Sequence, residues 1–331
     1  MKSFYQDKTI AVTGGLGLIG SFLTTELCKV ASNVIVVDDE SKGNWKYIPS
    51  LQDKVDYRKG TLEDREFTIQ ALEGAEIVFH LASRAYGVGF SQANNFEMFR
   101  FNDLINTNVL DAVAAHKPEH ALMTSSSCVY PDEGPTPMPD TYPITGEPER
   151  VNWGYGWAKR ILEQKAIIYQ KETGVPMTVV RPFNIFGEHY FWVGENSQAI
   201  PMLLKRIMDG ENPVLIWGSG NQRRTYMHAQ DCARIMMRLV ENGFYERGIN
   251  IGFEETISVK ELVMTISEEA GKEIEIITDR TKPEGRFIKS ADSRLLRAAI
   301  GGDFEFEIPF REGIRRMLGW YDVNFNQDQA S

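Results

Sequence analysis

Thr13-Gly14-Gly15-Leu16-Gly17-Leu18-Ile19-Gly20 is the stretch on which the fold turns. It closes a short β-branched run over 9–13, which reads as a buried strand, and it opens an apolar stretch over 18–30, which reads as a helix. Gly14, Gly17 and Gly20 stand in GxxGxxG spacing. Glycine lets the chain turn sharply there and brings the backbone close to a pyrophosphate. The phosphate then meets the exposed N–H groups and positive dipole end of the helix. A second strand over 33–38 ends in Asp38, 24 positions after Gly14. A carboxylate in that place accepts hydrogen bonds from an adenosine ribose diol and repels a 2′-phosphate, and Asp39 and Glu40 reinforce the repulsion. The cofactor this predicts is NAD rather than NADP.

Outward from this run, strands are expected over 55–58, 76–80, 121–125 and 177–181, with helices near 64–73, 94–115 and 154–173. Strands alternating with helices require parallel pairing and right-handed crossovers. Uninterrupted apolar runs suit strands covered on both faces. The fold class is therefore α/β, a Rossmann-type doubly wound parallel sheet. Beyond about residue 182 the alternation breaks down. The expected division is an NAD-binding domain over 1–181, with room for returning segments from about 225–252, and a smaller mixed α/β substrate domain over 182–331.

The chain has 331 residues, 42% hydrophobic and 25% charged, which fits a globular protein and excludes a disordered one. Its 36 Lys+Arg against 46 Asp+Glu give a net charge of −10 and argue against nucleic-acid or anionic-membrane partners. No run approaches the ~18 apolar residues of a membrane span. Cys28, Cys128 and Cys232 are widely spaced, with no CxxC pair, so neither a disulfide framework nor a cysteine metal site is inferred and a cytoplasmic location is expected. His116, His120 and His189 lack metal-ligand spacing, so no metal is inferred.

Tyr155-Gly156-Trp157-Ala158-Lys159 puts Tyr155 and Lys159 on one face of a helix. An ammonium beside a phenol lowers its pKa, and such a phenol serves as general base toward a sugar hydroxyl. The serine-rich segment 124–130 ends a strand where an α/β sheet presents its ligand site, so a serine hydroxyl can bond the same oxygen.

The segments TGGLGLIG, FHLAS (79–83), SSSCVY (125–130), YGWAK (155–159), RPFNIFG (181–187) and NQRRTYMH (221–228) together resemble the extended short-chain dehydrogenases/reductases, in the branch of nucleotide-sugar epimerases and dehydratases. The resemblance implies an N-terminal NAD domain with a smaller domain closing over a sugar nucleotide. It also implies a homodimer paired through the helical stretches 94–115 and 154–173. Ser126, Tyr155 and Lys159 match the family's catalytic residues. Cofactor contacts are implied for Gly14, Gly17, Leu18, Ile19, Asp38, Leu62, Leu81, Ala82, Tyr155, Lys159 and Pro182. Substrate contacts are implied for Gly87, Asn184, Gln198, Arg224 and Arg286, with Asn102 beside the site. A guanidinium is a bidentate partner for phosphate, which suits Arg224.

The position two before Tyr130 separates the branches. A 4,6-dehydratase needs a Glu there, and this chain has Cys128. SSSCVYP is similar to the matching segment of GDP-mannose 3,5-epimerase and GDP-fucose synthase, in which a cysteine works on the carbon beside a ketone. A thiolate is a competent base if its pKa falls; a free cysteine is equally often plain core filler. The acid/base those enzymes carry before a helix proline is Gln198 or Ala199 here, in 196–201, and glutamine cannot shuttle a proton. The segment 281–285 resembles the synthase's C-terminal loop.

The expected chemistry is transient oxidation at sugar C4, with Ser126 and Tyr155 on the hydroxyl and the hydride passing to NAD. The ketone then has three fates: hydride return on the opposite face, proton exchange at C3 or C5 through Cys128, or release as the product of a 4-dehydrogenase. Net epimerisation of a GDP- or UDP-sugar is the expectation. A non-catalytic NAD-binding regulator on the same fold is the alternative outside enzymes.

Overall fold

The strand that the glycine run terminates, β1 (Thr9–Thr13), lies inside a seven-stranded parallel sheet. The computed structural model describes residues 3–194, 197–245, 247–282 and 285–325. Asn196, Pro283 and Glu284, quoted above within their segments, lie outside the described residues. The other strands of the first half are β2 (Asn33–Asp38), β3 (Asp56–Lys59), β4 (Ile77–His80), β5 (His120–Thr124) and β6 (Met177–Pro182). The sheet runs Gly248–Ile251, β6, β5, β4, β1, β2, β3, every pair parallel. Chain order reverses between β1 and β4, and a crevice forms at such a switch point beyond the carboxyl ends of the strands.

Both faces of the sheet are buried, as the apolar runs require. Ile10, Val12, Val34 and Val36 face one core layer, and Ala11, Ile35 and Val37 face the other. Alternate residues of a strand point to opposite faces, so each face needs its own helices. The first is covered by α1 (Leu18–Leu27) and by the helix Ala229–Glu241. The second is covered by α2 (Arg65–Ala71) and, beyond the short α3 (Val88–Ala93), by α4 (Asn95–His116) and α5 (Trp153–Thr173). The helix Ala229–Glu241 and the edge strand Gly248–Ile251 thus come from beyond residue 182, and the sheet is completed only after the chain has gone out and come back.

A third core layer joins the helices Ala199–Met208, Val259–Ala270 and Phe310–Phe325 around Leu203, Ile216, Leu262 and Met317. Small sheets lie beside it. Arg223–Arg224 pairs with Ile257–Ser258 on one side and Ile288–Lys289 on the other, which carries Arg224 and Lys289 toward the carboxyl end of the main sheet. Among the described residues, no helix is long and apolar enough to cross a membrane.

Candidate active site

The dinucleotide end is built by close backbone contact. Gly14 has φ +69°, and a Cβ on it would stand 2.8 Å from the backbone of Ala82. A Cβ on Gly20 would stand 2.0 Å from the Gly14 carbonyl oxygen. Gly17 precedes α1 with no side-chain cap, and the first turn holds no acidic residue. The N–H groups of Leu18 and Ile19 are therefore left for an anion, where the helix dipole favours one. Asp38 accepts from the N–H of Leu16 at 3.0 Å and of Glu40 at 2.8 Å. Burial pushes its carboxyl up, and these two N–H groups pull it back. A carboxylate has about four acceptor sites, so some remain for a ribose diol. The cradle and this acceptor fit NAD. Leu81 and Ala82 are held on β1 through Thr13, whose carbonyl and hydroxyl accept their N–H groups at 3.1 and 3.4 Å. Leu62 is buried, its carbonyl accepting from Asn108, and Pro182 ends β6 opposite Ile251.

The candidate catalytic end forms where β5 stops. Ser126 is extended, and its Oγ accepts the Cys128 N–H at 3.1 Å. Tyr155, in the first turn of α5, is buried against Met98 and Cys128, with Ala85, Tyr86 and Phe90 beside them. Lys159 lies one turn on. Its Nζ donates to the Thr124 carbonyl at 2.8 Å and sits 5.6 Å from the Tyr155 ring centre. Burial pushes the phenol well above its usual range, while the Ser83 and Ser126 hydroxyls that bond it pull it back. Burial also drops Lys159 to about 7. The expectation that Lys159 lowers the phenol's pKa therefore needs correcting for the protein alone: burial dominates and the phenol stands above its usual range. Only added positive charge beside the ring would reverse the balance.

Several participants escaped the sequence reading. Ser83 bonds Tyr155 and donates to Asn102 Oδ1 at 2.9 Å. Glu163, at i+8 from Tyr155, accepts from Ser125 at 2.5 Å and from Arg181 at 2.7 and 2.9 Å. Arg181 in turn donates to the Tyr130 hydroxyl at 2.7 Å, which braces the serine segment from below. The spacing 155, 159, 163 is a single helical stripe and carried that signal. Cys128, read as either base or filler, has a charged neighbourhood: Lys289 Nζ lies 3.6 Å from its sulfur and 2.9 and 3.1 Å from the oxygens of Glu149. Nothing in the spacing links these three residues.

The residues matched to a substrate line the same end. Asn184 has φ +43°, and its buried Nδ2 has no hydrogen-bond partner. Arg286 is close enough to Arg224 to feel its charge, and its guanidinium donates to the carbonyls of Gly134 and Pro135 at 2.7 Å. Gly87 abuts the Ser197 carbonyl, where a Cβ would come within 2.7 Å. Gln198 precedes the helix Ala199–Met208 and accepts from the Tyr190 hydroxyl at 3.2 Å. His228 pairs with Glu188 at 2.8 Å, and His189 stacks between Phe22 and Tyr47, so both are tied into packing.

The sequence pattern of the NAD dependent epimerase/dehydratase family runs through residues 10–252. The chain belongs to that family. NAD is its cofactor. Among relatives of this epimerase/dehydratase, a GDP-L-fucose synthase of Dictyostelium discoideum is 27% identical over 96% of both chains. A GDP-mannose 3,5-epimerase of Oryza sativa is 25% identical over 97% of this chain and 83% of its own. In fold it resembles UDP-N-acetylglucosamine 4-epimerase from Methanobrevibacter ruminantium, with TM-score 0.86 at 23% identity, covering 97% of this chain and 100% of that one. It also resembles the UDP-glucose 4-epimerase of Thermus thermophilus solved with NAD, with TM-score 0.80 at 23% identity over 96% and 99% of the two chains.

Proposed function

We propose that this protein is a nucleotide-sugar epimerase acting on a GDP- or UDP-sugar through transient oxidation at C4. The observation that carries the reading is the cluster at the end of β5, where the Ser126 hydroxyl acts on Tyr155 and Lys159 is held on the Thr124 carbonyl one helical turn away, with Cys128 in the place of a dehydratase Glu. NAD, when bound, supplies the hydride acceptor and donor. Ser126 orients the sugar hydroxyl, and Tyr155 takes its proton. Lys159, fixed on Thr124, steadies the phenolate form of Tyr155 that must precede this transfer. The arginines 224 and 286 suit a diphosphate, and the unpaired amide of Asn184 supplies a donor. A redox-neutral cycle suits a site with no dehydratase acid. The second reading, a 3,5-epimerase-like use of Cys128, is favoured by the contact of that sulfur with the Tyr155 cluster.

The test is a panel of GDP- and UDP-hexoses, followed by the near-ultraviolet absorbance of reduced nicotinamide and by NMR of the products. A transient reduction with inversion at C4 is expected. Net accumulation of reduced cofactor would instead mark a dehydrogenase, and silence with every sugar would sink the proposal.

A further inference from the structure

Two enclosed charges beside the site have no part in the C4 chemistry. Glu149 and Lys289 come from segments 140 residues apart, and their side chains are only 6% and 8% exposed. Burying such a pair costs several kcal/mol per ion in desolvation, so packing alone is a poor reason for it. Both partners converge on Cys128. Lys289 Nζ reaches its sulfur at 3.6 Å, and the Glu149 N–H donates to its carbonyl at 3.2 Å. Asn152 donates to the Glu149 carboxylate at 2.9 Å and holds it in place. Cys128 in turn packs against Tyr155.

We propose that Lys289, anchored on Glu149, is the positioning residue of Cys128, its ammonium acting as counter-ion to the thiolate while that sulfur exchanges a proton with the sugar carbon beside a C4 ketone. The assignment rests on the second reading above, the use of Cys128 on the carbon beside a ketone, and supplies a charged partner that the Gln198 position lacks. In the step, the thiol first loses its proton to water. The C–H bond at C3 or C5 then breaks, an S–H bond forms, and the electron pair moves onto the C4 oxygen, which Ser126 and Tyr155 hold as an enolate. Reversal returns a proton to carbon and restores the ketone and the thiolate.

The charges that face this sulfur are Glu149, Lys289, Lys159 and, when ionised, Tyr155. Arg224 acts on Lys289, and Arg286 on Glu149. Burial and Glu149 push the thiol up to about 12, while Lys289 and the Ser126 hydrogen bond pull it down. The two partners therefore act on the thiolate with opposite signs.

The experiment uses the NAD-loaded protein in D2O with a GDP-linked 4-ketohexose supplied ready-made, reading deuterium at C3 and C5 by NMR. Wild type is expected to exchange, and Cys128→Ser to stop. Lys289→Met should slow exchange by about tenfold or more, the effect of about one pKa unit, with Lys289→Arg recovering most of it. Glu149→Gln should speed exchange at the same pH. The ultraviolet absorbance of the thiolate, taken against Cys128→Ser, gives a second readout without substrate: its titration should move up in Lys289→Met and down in Glu149→Gln. The neutral double variant Lys289→Met/Glu149→Gln serves if a single variant, left with one orphan buried charge, fails to fold, and its titration should fall between the two. Overturning results are a wild type that does not exchange, both single variants slowed without rescue by Arg, or a thiol titration that no variant moves. Nicotinamide absorbance on adding the matching 4-hydroxy sugar tests C4 oxidation separately. Silence there with exchange intact ends the C4 reading and leaves the Lys289 assignment standing.

Discussion

At the level of single residues, the site is governed by burial. Tyr155 and Lys159 are both enclosed, and burial favours the neutral form of each. Replacing Tyr155 with Phe removes the proton acceptor and should lower turnover by about 10²–10⁴-fold in a steady-state assay. Lys159 has a pKa lowered to about 7 in the folded protein, against 10.5 when unfolded. Between those values the unfolded chain binds more protons than the native one, so this group makes stability rise with pH and withholds it below about 7. Thermal unfolding of the NAD-free protein should show Lys159→Met raising Tm at pH 6 and losing that advantage by pH 10. An unchanged difference across the range would mean that the lysine is not held as described. Tyr155, Lys159 and Asp38 were legible in the sequence because each belongs to a spacing with a mechanism, and Ser126 was singled out within its serine run by resemblance. Glu149 and Ser83 were not, because their meaning depends on what lies opposite them in space.

At the level of elements, the glycine turn and α5 each have a physical weak point. A Cβ at position 20 would collide with the Gly14 carbonyl oxygen, and backbone cannot move aside as a flexible side chain does. Gly20→Ala should therefore open the β1–α1 turn and weaken NAD binding by about tenfold or more, measured by calorimetric titration. In α5, Glu163 is buried with Arg181, at 7% side-chain exposure each. Glu163→Gln leaves the guanidinium without its counter-charge and should cost about 3–5 kcal/mol in urea unfolding. The loss should be accompanied by lower turnover, since Ser125 and Tyr130 lean on the same pair. Apart from α1, the strands and helices expected in the first half lie within a residue or two of their places, while α3 was not expected. The helix expected over 18–30 stops at Leu27, where Cys28 to Ala31 tighten into turns.

At the scale of the whole molecule, the homodimer is a proposal supported by apolar side chains on the outer faces of the two longest helices. Phe96 on α4 is 76% exposed, and Ile168 on α5 is 57% exposed. Large apolar side chains exposed along one helix pair suit a partner surface. Sedimentation equilibrium should show a dimer that Phe96→Glu/Ile168→Glu converts to monomer, and a monomeric wild type would refute it. The return of the chain is the other large-scale feature. The helix Ala229–Glu241 and the strand Gly248–Ile251 complete the main sheet from the later part of the chain, the strand at its edge beside β6 and the helix on one face.

Local chemistry was decided by the sequence alone: the strand–glycine–helix turn, the acidic end of β2, the Tyr–Lys stripe and the alternation that requires a parallel sheet. These depend on neighbours within one or two turns, where backbone geometry is dictated by residue type. The tertiary structure alone decided which distant charges meet. It set Lys289 and Glu149 against Cys128, Arg181 against Glu163, and burial against charge at Tyr155. Such pairings come from the packing of remote segments, and their strength comes from the exclusion of water, a property of the folded whole.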